Sequence, residues 1–186
     1  MLILASESPR RRELLKRIVQ EFFTVSPGVD ELEEGEELEK LPEKNALLKA
    51  DAAAKNFPGA FVIGADTAVF ANGKMMGKPG SEAEAAGMLT SLSGAAHKVI
   101  SGVALVCREK NLRCSWSVVS EVRFKKLSAQ EISLYMERVN VMDKAGAYAI
   151  QEFPGLLGAT WKGELENIIG LPLIKLREVL EKEGAL

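Results

Sequence analysis

The sequence predicts a single α/β or α+β domain with a mixed sheet, and three observations carry that prediction. A short apolar run, Met1-Leu2-Ile3-Leu4-Ala5, passes almost directly into Ser8-Pro9, a helix-start signal. A second apolar run, Phe61-Val62-Ile63-Gly64-Ala65, follows a helical pattern and reads as a buried strand. Two Ser-x-x-Glu capping boxes, Ser81 with Glu84 and Ser128 with Glu131, start helices on either side of two long runs rich in Val and Ser. No internal repeat, low-complexity tract or linker interrupts the chain, so residues 1–186 are read as one domain.

In chain order, the first strand gives way to a helix whose apolar stripe is Leu14, Leu15, Ile18 and Val19, and Phe22 to Val25 reads as a second strand. An acidic loop follows, in which Glu33, Glu34, Glu36 and Glu37 form a solvated run. The next helix begins near Pro42 and turns Ala46, Leu47, Ala50 and Ala53 inward. The strand from Phe61 ends at Asp66, and Asn72-Gly73 marks a hairpin turn, since both residues tolerate positive φ. His97 to Cys107 and Arg113 to Phe124 are paired strands about a turn at Glu109 to Leu112, which sets Cys107 and Cys114 symmetrically across the hairpin. Pro172 opens an amphipathic tail helix carrying Leu173, Leu176, Val179 and Leu180.

Composition removes several classes of function. With 47% hydrophobic and 27% charged residues, the 186-residue chain is that of a globular domain large enough to need no structural staple. The net charge of -2 gives no global attraction to a polyanion, so no stable nucleic-acid complex is expected. The apolar start is too short for a signal-peptide core and no stretch could span a bilayer, so the expected location is cytoplasmic, without membrane partners. Two cysteines and one histidine, without metal-ligand spacing, leave no zinc constellation, and the thiols are expected to be free. His97 is read as a satisfied structural histidine.

Four segments carry chemistry. Ser6-Glu7-Ser8-Pro9-Arg10-Arg11-Arg12 places arginines in a first helical turn, where the helix dipole disfavours cations by roughly 0.3–1 kcal/mol each. A bound anion explains them better than local stability does, and polyphosphate suits serine hydroxyls and guanidinium forks. The alternative is that Glu7 and Glu13 pair with surface arginines. Gly64-Ala65-Asp66-Thr67 delivers a carboxylate to a strand end, the usual ligand crevice of open sheets. Asp66 could there hold a divalent ion or take a proton from water, or simply cap a turn. Asp30 and Glu31 offer further hard oxygen ligands.

Gly77-Lys78-Pro79 presents a lysine on a rigid turn, but its spacing is not that of a P-loop. Lys49 alone reads as a surface lysine unless its helix face closes on the site. In Asp143-Lys144-Ala145-Gly146-Ala147-Tyr148-Ala149-Ile150-Gln151, small residues permit close backbone approach and a strand then presents Gln151, whose amide matches the carbonyl and imide N–H of uracil or thymine.

These segments together resemble the Maf family of nucleoside triphosphate pyrophosphatases nearly end to end. The likeness rests on Ser6-x-Ser8-Pro9-Arg10-Arg11, Asp30-Glu31, Lys49-Ala50, Gly64-Ala65-Asp66-Thr67, Gly77-Lys78-Pro79, Ser93-Gly94 with His97 and Val99, Asp143 to Tyr148 with Gln151, and Asn167 before Gly170-Leu171-Pro172. It implies an elongated mixed-sheet α/β sandwich with a central cleft, similar to inosine triphosphate pyrophosphatase, usually as a homodimer. It implies hydrolysis of a nucleoside triphosphate to the monophosphate and pyrophosphate with a divalent cation, Mg2+, Mn2+ or Co2+.

The Ala-Tyr-x-Ile-Gln form at Tyr148, Ile150 and Gln151 resembles the branch acting on dTTP and UTP. Action on 7-methyl-GTP, a broader nucleotide specificity, and a non-catalytic nucleotide-binding regulator of cell division are the alternatives. By the same likeness Asp66, Lys49 and Glu31 are catalytic, Asp66 and Glu31 hold metal, and Ser6, Arg10, Arg11, Lys78 and Gln151 bind substrate. The chain departs from the family at Glu152, where Gly is frequent, at Phe153-Pro154-Gly155, at Val118, where Glu is common, and at Ser101, where Thr is usual, the last two being expected to lie away from the site.

Overall fold

A computed structural model describes residues 1–35 and 37–186; Glu36, placed above in the solvated acidic run, lies outside the described residues. Strand β1 (Leu2–Ala5) leads to helix α1 (Pro9–Leu15) and strand β2 (Phe23–Val25). A 3-10 turn (Leu38–Lys40) enters α2 (Leu41–Asn56), followed by β3 (Phe61–Ala71), β4 (Lys74–Met76), α3 (Glu82–Leu92), β5 (Ala96–Cys107) and β6 (Leu112–Arg123). Next come α4 (Ala129–Arg138), a 3-10 turn (Ala145–Ala147), α5 (Pro154–Leu157), β7 (Thr160–Lys162), α6 (Leu165–Ile169) and α7 (Leu173–Lys182). The described strands form one mixed sheet in the order β2-β1-β3-β5-β6-β7, with β4 beside β3.

Several expectations on extent need correction. Helix α1 stops at Leu15, so Ile18 and Val19 follow it in turns rather than extending its stripe. Strand β3 does not end at Asp66 but runs on to Ala71, because the Asn72-Gly73 turn, with φ of 52° and 73°, folds β4 back onto Val69 to Ala71. The β5–β6 turn is Arg108 to Asn111, one residue earlier than the symmetric placement, and both thiols are free. Ser128 and Glu131 form the reciprocal box, whereas Glu84 accepts from Gly80 N–H rather than from its own cap residue.

The chain makes two compact units, one of Met1–Thr67, Ser101–Val118 and Gly170–Leu186, the other of Ala68–Ile100 and Val119–Ile169. In the first, Ala46, Ala50, Ala53 and Ala54 of α2 pack on Ile3, Ala5, Val62, Ala104 and Val106. Small residues let the helix backbone touch the sheet. A Cβ at Gly64 would overlap the Ala46 carbonyl and the Ala50 amide, and one at Gly102 would strike the Pro42–Glu43 peptide.

The second unit has its own core, including Leu89, Leu92, Val122, Phe124, Ile132, Tyr135 and Tyr148. His97 sits there edge-on to Phe124 and Tyr148, its Nε2 2.8 Å from Tyr148 Oη. Its Nδ1 has no hydrogen-bond partner among the described residues, so the expectation of a fully satisfied histidine is only half met. Burial holds its pKa down at about 4, from an ordinary 6.5. Above pH 6.5 the ring is neutral in both folded and unfolded states; between 6.5 and 4 only the unfolded chain takes the proton, and stability falls with pH. The loss should approach about 3 kcal/mol over that interval. Urea unfolding at pH 6.5 and 4.5 should therefore show a larger difference for the native chain than for His97→Gln, and equal differences would contradict it.

Candidate active site

The site in the first unit follows from strand order. Strand β1 pairs in parallel with β2 on one side and β3 on the other, so the chain leaves β1 toward one edge and returns across it through α2. Such a reversal favours a ligand site beyond the carboxyl end of β1, beside the continuing β3. Ala5 pairs with Gly64, so β1 has ended where β3 carries on with Asp66 and Thr67, whose side chains leave opposite faces of the strand.

Asp66, 8% exposed, is held on one face by two residues of α2. Its Oδ1 accepts from Lys49 Nζ at 2.8 Å and its Oδ2 from Asn45 Nδ2 at 3.2 Å. Lys49 is only 5% exposed, so the surface-lysine reading is wrong: backbone contact between α2 and β3 buries it. Its ammonium also reaches the Ala65 carbonyl at 3.4 Å and Glu31 Oε1 at 2.6 Å. Two carboxylates, one buried and one half-exposed on a loop, thus share one lysine.

On the other face, Thr67 Oγ1 lies 2.8 Å from Ser101 Oγ and accepts from Arg11 Nη2 at 3.2 Å. Arg11 also donates through Nε to the Gly170 carbonyl at 2.9 Å and through Nη1 to Ser6 Oγ at 3.3 Å. Ser101, set aside above as remote, therefore touches the site, because β5 lies next to β3 in the sheet and brings its hydroxyl to Thr67. Burial pushes the Arg11 guanidinium below its ordinary pKa, while Asp66 and Glu31 oppose the shift and Arg10 adds to it. Ser6, Arg10, Arg11, Glu31, Lys49 and Asp66 all belong to this unit, and Glu13 pairs with Lys16 rather than with an arginine.

Lys78 and Gln151 lie in the second unit, on segments that meet through Gly146 N–H donating to the Gly77 carbonyl at 3.0 Å. Gln151 does not sit on a strand. Left-handed backbone at Gly146, Ala147 and Phe153 breaks the extended run, and Gln151 is exposed in a turn after the buried residues Tyr148, Ala149 and Ile150. Three side chains pin that turn. Tyr135 Oη both donates to the Ala149 carbonyl and accepts from its N–H, each at 3.1 Å; His97 meets Tyr148; and Lys144 Nζ lies 3.3 Å from Glu152 Oε1.

Asn45 and Tyr135 were not foreseen. Asn45 precedes Lys49 by four residues, the spacing that puts two side chains on one helix face, and that signal could have found it. No cluster of three or more His, Cys, Asp or Glu residues suited to a metal occurs among the described residues. Asp66 and Glu31 are two hard-oxygen donors, the set that suits a divalent cation otherwise completed by phosphate oxygens and water.

The profile of the Maf-like protein family matches residues 1–183. The chain belongs to the Maf family. Among its Maf relatives, the dTTP/UTP pyrophosphatase of Symbiobacterium thermophilum is 44% identical, covering 98% of this chain and 94% of its own length. The dTTP/UTP pyrophosphatases of Dictyoglomus thermophilum and Myxococcus xanthus are 40% and 42% identical, over 98% and 99% of this chain and 96% and 93% of their own. The solved structure of the Staphylococcus aureus Ham1 protein superposes with a TM-score of 0.57 at 17% identity, covering 98% of each chain, and places this Maf protein in the same fold. No described helix is long and apolar enough to cross a membrane.

Proposed function

We propose that this Maf protein hydrolyses dTTP and UTP to the nucleoside monophosphate and pyrophosphate with the help of a divalent cation. The observation that carries the reading is the pair of carboxylates, Asp66 and Glu31, held on Lys49 at the sheet's reversal point with Arg11 in Coulombic reach of both and Arg10 beside Arg11. The dTTP/UTP pyrophosphatase names of full-length relatives at 40–44% identity support the substrate.

Water attacks a phosphoanhydride slowly because the polyanion repels it and charge accumulates on the leaving group. Arg10 and Arg11 counter that charge. Arg11 spends three N–H donors on Ser6, Thr67 and Gly170, which fixes the guanidinium and leaves the outer N–H of each Nη for phosphate oxygens. Ser6 Oγ, buried and bonded to Arg11, orients that fork. Lys49 has its three ammonium donors on Asp66, Glu31 and the Ala65 carbonyl; its main work is holding the carboxylates, and it reaches phosphate by exchanging one of them. Asp66 and Glu31 would hold Mg2+, Mn2+ or Co2+, which when bound neutralises phosphate charge. Asp66 takes the proton of the water that bonds to the α-phosphorus as the bond to the bridging oxygen breaks and pyrophosphate leaves.

In the second unit, Lys78 is assigned to substrate phosphate and Gln151 to the base, as the family likeness implies. Gln151→Ala should relax the preference of dTTP and UTP over purine triphosphates by about 10-fold or more in kcat/KM while keeping turnover, since only hydrogen bonds to the base are lost. An unchanged profile would reject that role. The same likeness implies a homodimer, and the proposed location is the cytoplasm. The function is tested with a panel of standard and modified triphosphates plus Mg2+, Mn2+ or Co2+, measuring both products. Equimolar monophosphate and pyrophosphate, greatest with dTTP and UTP, are expected; nucleotide bound without turnover would refute the enzyme.

A further inference from the structure

Asn45 is 4% exposed and uses its amide on two elements at once. Its Oδ1 accepts from Leu32 N–H at 2.8 Å, and its Nδ2 donates to the Leu32 carbonyl at 3.0 Å and to Asp66 Oδ2 at 3.2 Å. The Leu32 N–H can only face an oxygen, so it sets the amide's orientation and thereby aims the NH2 at Asp66. Segment 26–35 has no regular secondary structure, residues 30–35 are exposed, and the Leu32 side chain is itself 42% exposed, so apolar burial contributes little to holding it. The two-bond clamp on Leu32 is a main-chain tie next to Glu31, whose carboxylate meets Lys49.

We propose that Asn45 is a positioning residue for the reaction: it fixes the Glu31 loop and the Asp66 carboxylate in one geometry, while touching neither substrate nor metal itself. This rests on the pyrophosphatase reading above. Lys49 restrains Asp66 through Oδ1, and Asn45 restrains the second oxygen, so the carboxylate plane is set from two points of one helix face. The clamp makes Glu31 and Asp66 move as a pair. Outer partners of this kind typically carry 10–100-fold in activity without contacting the reacting atoms.

The test pairs kinetics on dTTP and UTP with hydrogen exchange of the nucleotide-free protein. Asn45→Ala should speed exchange at the Leu32 amide by about 10-fold or more, with the α7 amides unchanged, because only the local tie is lost. Its kcat should fall about 10–100-fold with KM within roughly threefold of wild type, as expected for a misplaced group rather than a lost substrate contact. Asn45→Asp weakens the tie in a graded way. It keeps an acceptor for the Leu32 N–H but sets an oxygen against both the Leu32 carbonyl and Asp66 Oδ2, so exchange at the Leu32 amide should lie between those of wild type and Asn45→Ala while kcat falls about 10–100-fold. Wild-type exchange in Asn45→Ala, or kcat within threefold of wild type in either variant, would overturn the proposal. Should Asn45→Ala not fold, Asn45→Asp decides alone by the same kcat limit. A wild-type protein that releases no pyrophosphate sinks the enzymatic reading instead, and the Leu32 exchange still reports whether the anchor exists.

Discussion

Asp66→Asn is expected to lower kcat for dTTP and UTP by about 10²–10⁴-fold, the range lost with a positioned general base, while nucleotide still binds. The substitution keeps size and shape but removes the proton acceptor. It also disturbs the local pairing. Lys49 and Asn45 donate to the two oxygens of Asp66, so an amide there must turn its NH2 toward one of these donors. If the oxygen stays on Lys49, the NH2 faces Asn45, and leaving such a pair unsatisfied costs about 1–3 kcal/mol. The variant should thus unfold at lower urea concentration as well as turn over slowly. Steady-state pyrophosphate release gives kcat, and calorimetric titration with UTP gives binding. A kcat within tenfold of wild type would remove Asp66 from the chemistry.

Gly64→Ala should cost about 3 kcal/mol or more, although it adds a single methyl group to a buried strand. The Cβ would overlap main-chain atoms of Ala46 and Ala50, and backbone has no alternative rotamer to adopt. Helix α2 must move off β3, carrying Asn45 and Lys49 away from Asp66, so activity should collapse together with stability. For a chain of this length the midpoint should drop by about 6–12 °C. Gly73→Ala is the matched control. Gly73 has positive φ but no neighbour that a Cβ would meet, so it carries only turn strain and should lose far less. Equal melting of Gly64→Ala and the wild type would mean that the close contact of helix and strand is not what holds this unit together.

Local signals in the sequence settle much of the fold. Ser8-Pro9 starts α1 as its chemistry demands, Asn72-Gly73 makes the hairpin, and Pro172 opens α7. What depends on distant partners is less legible. Asp66 looks terminal because the apolar run stops there, yet β4 extends the strand by pairing with residues beyond it. Lys49 looks solvated because no acid lies three or four positions from it on its own helix, whereas its two carboxylates come from residues 18 positions before it and 17 after it. Gln151 follows an apolar run that reads as extended, but the left-handed residues on both sides turn it out. The catalytic candidates in the first unit were found from residue type and family likeness. Of their supports, Thr67 and Ser101 carry small polar side chains whose role appears only with their partners, and Asn45 is signalled only by its spacing from Lys49.

The claim that everything else serves is that the Asp66–Glu31 site directs water to the α-phosphorus. Turnover of UTP in water enriched in oxygen-18, with mass analysis of both products, tests it most directly. The label should appear in the monophosphate, one atom per turnover, with unlabelled pyrophosphate. Label in pyrophosphate or in released orthophosphate would place the attack at another phosphorus and contradict the account.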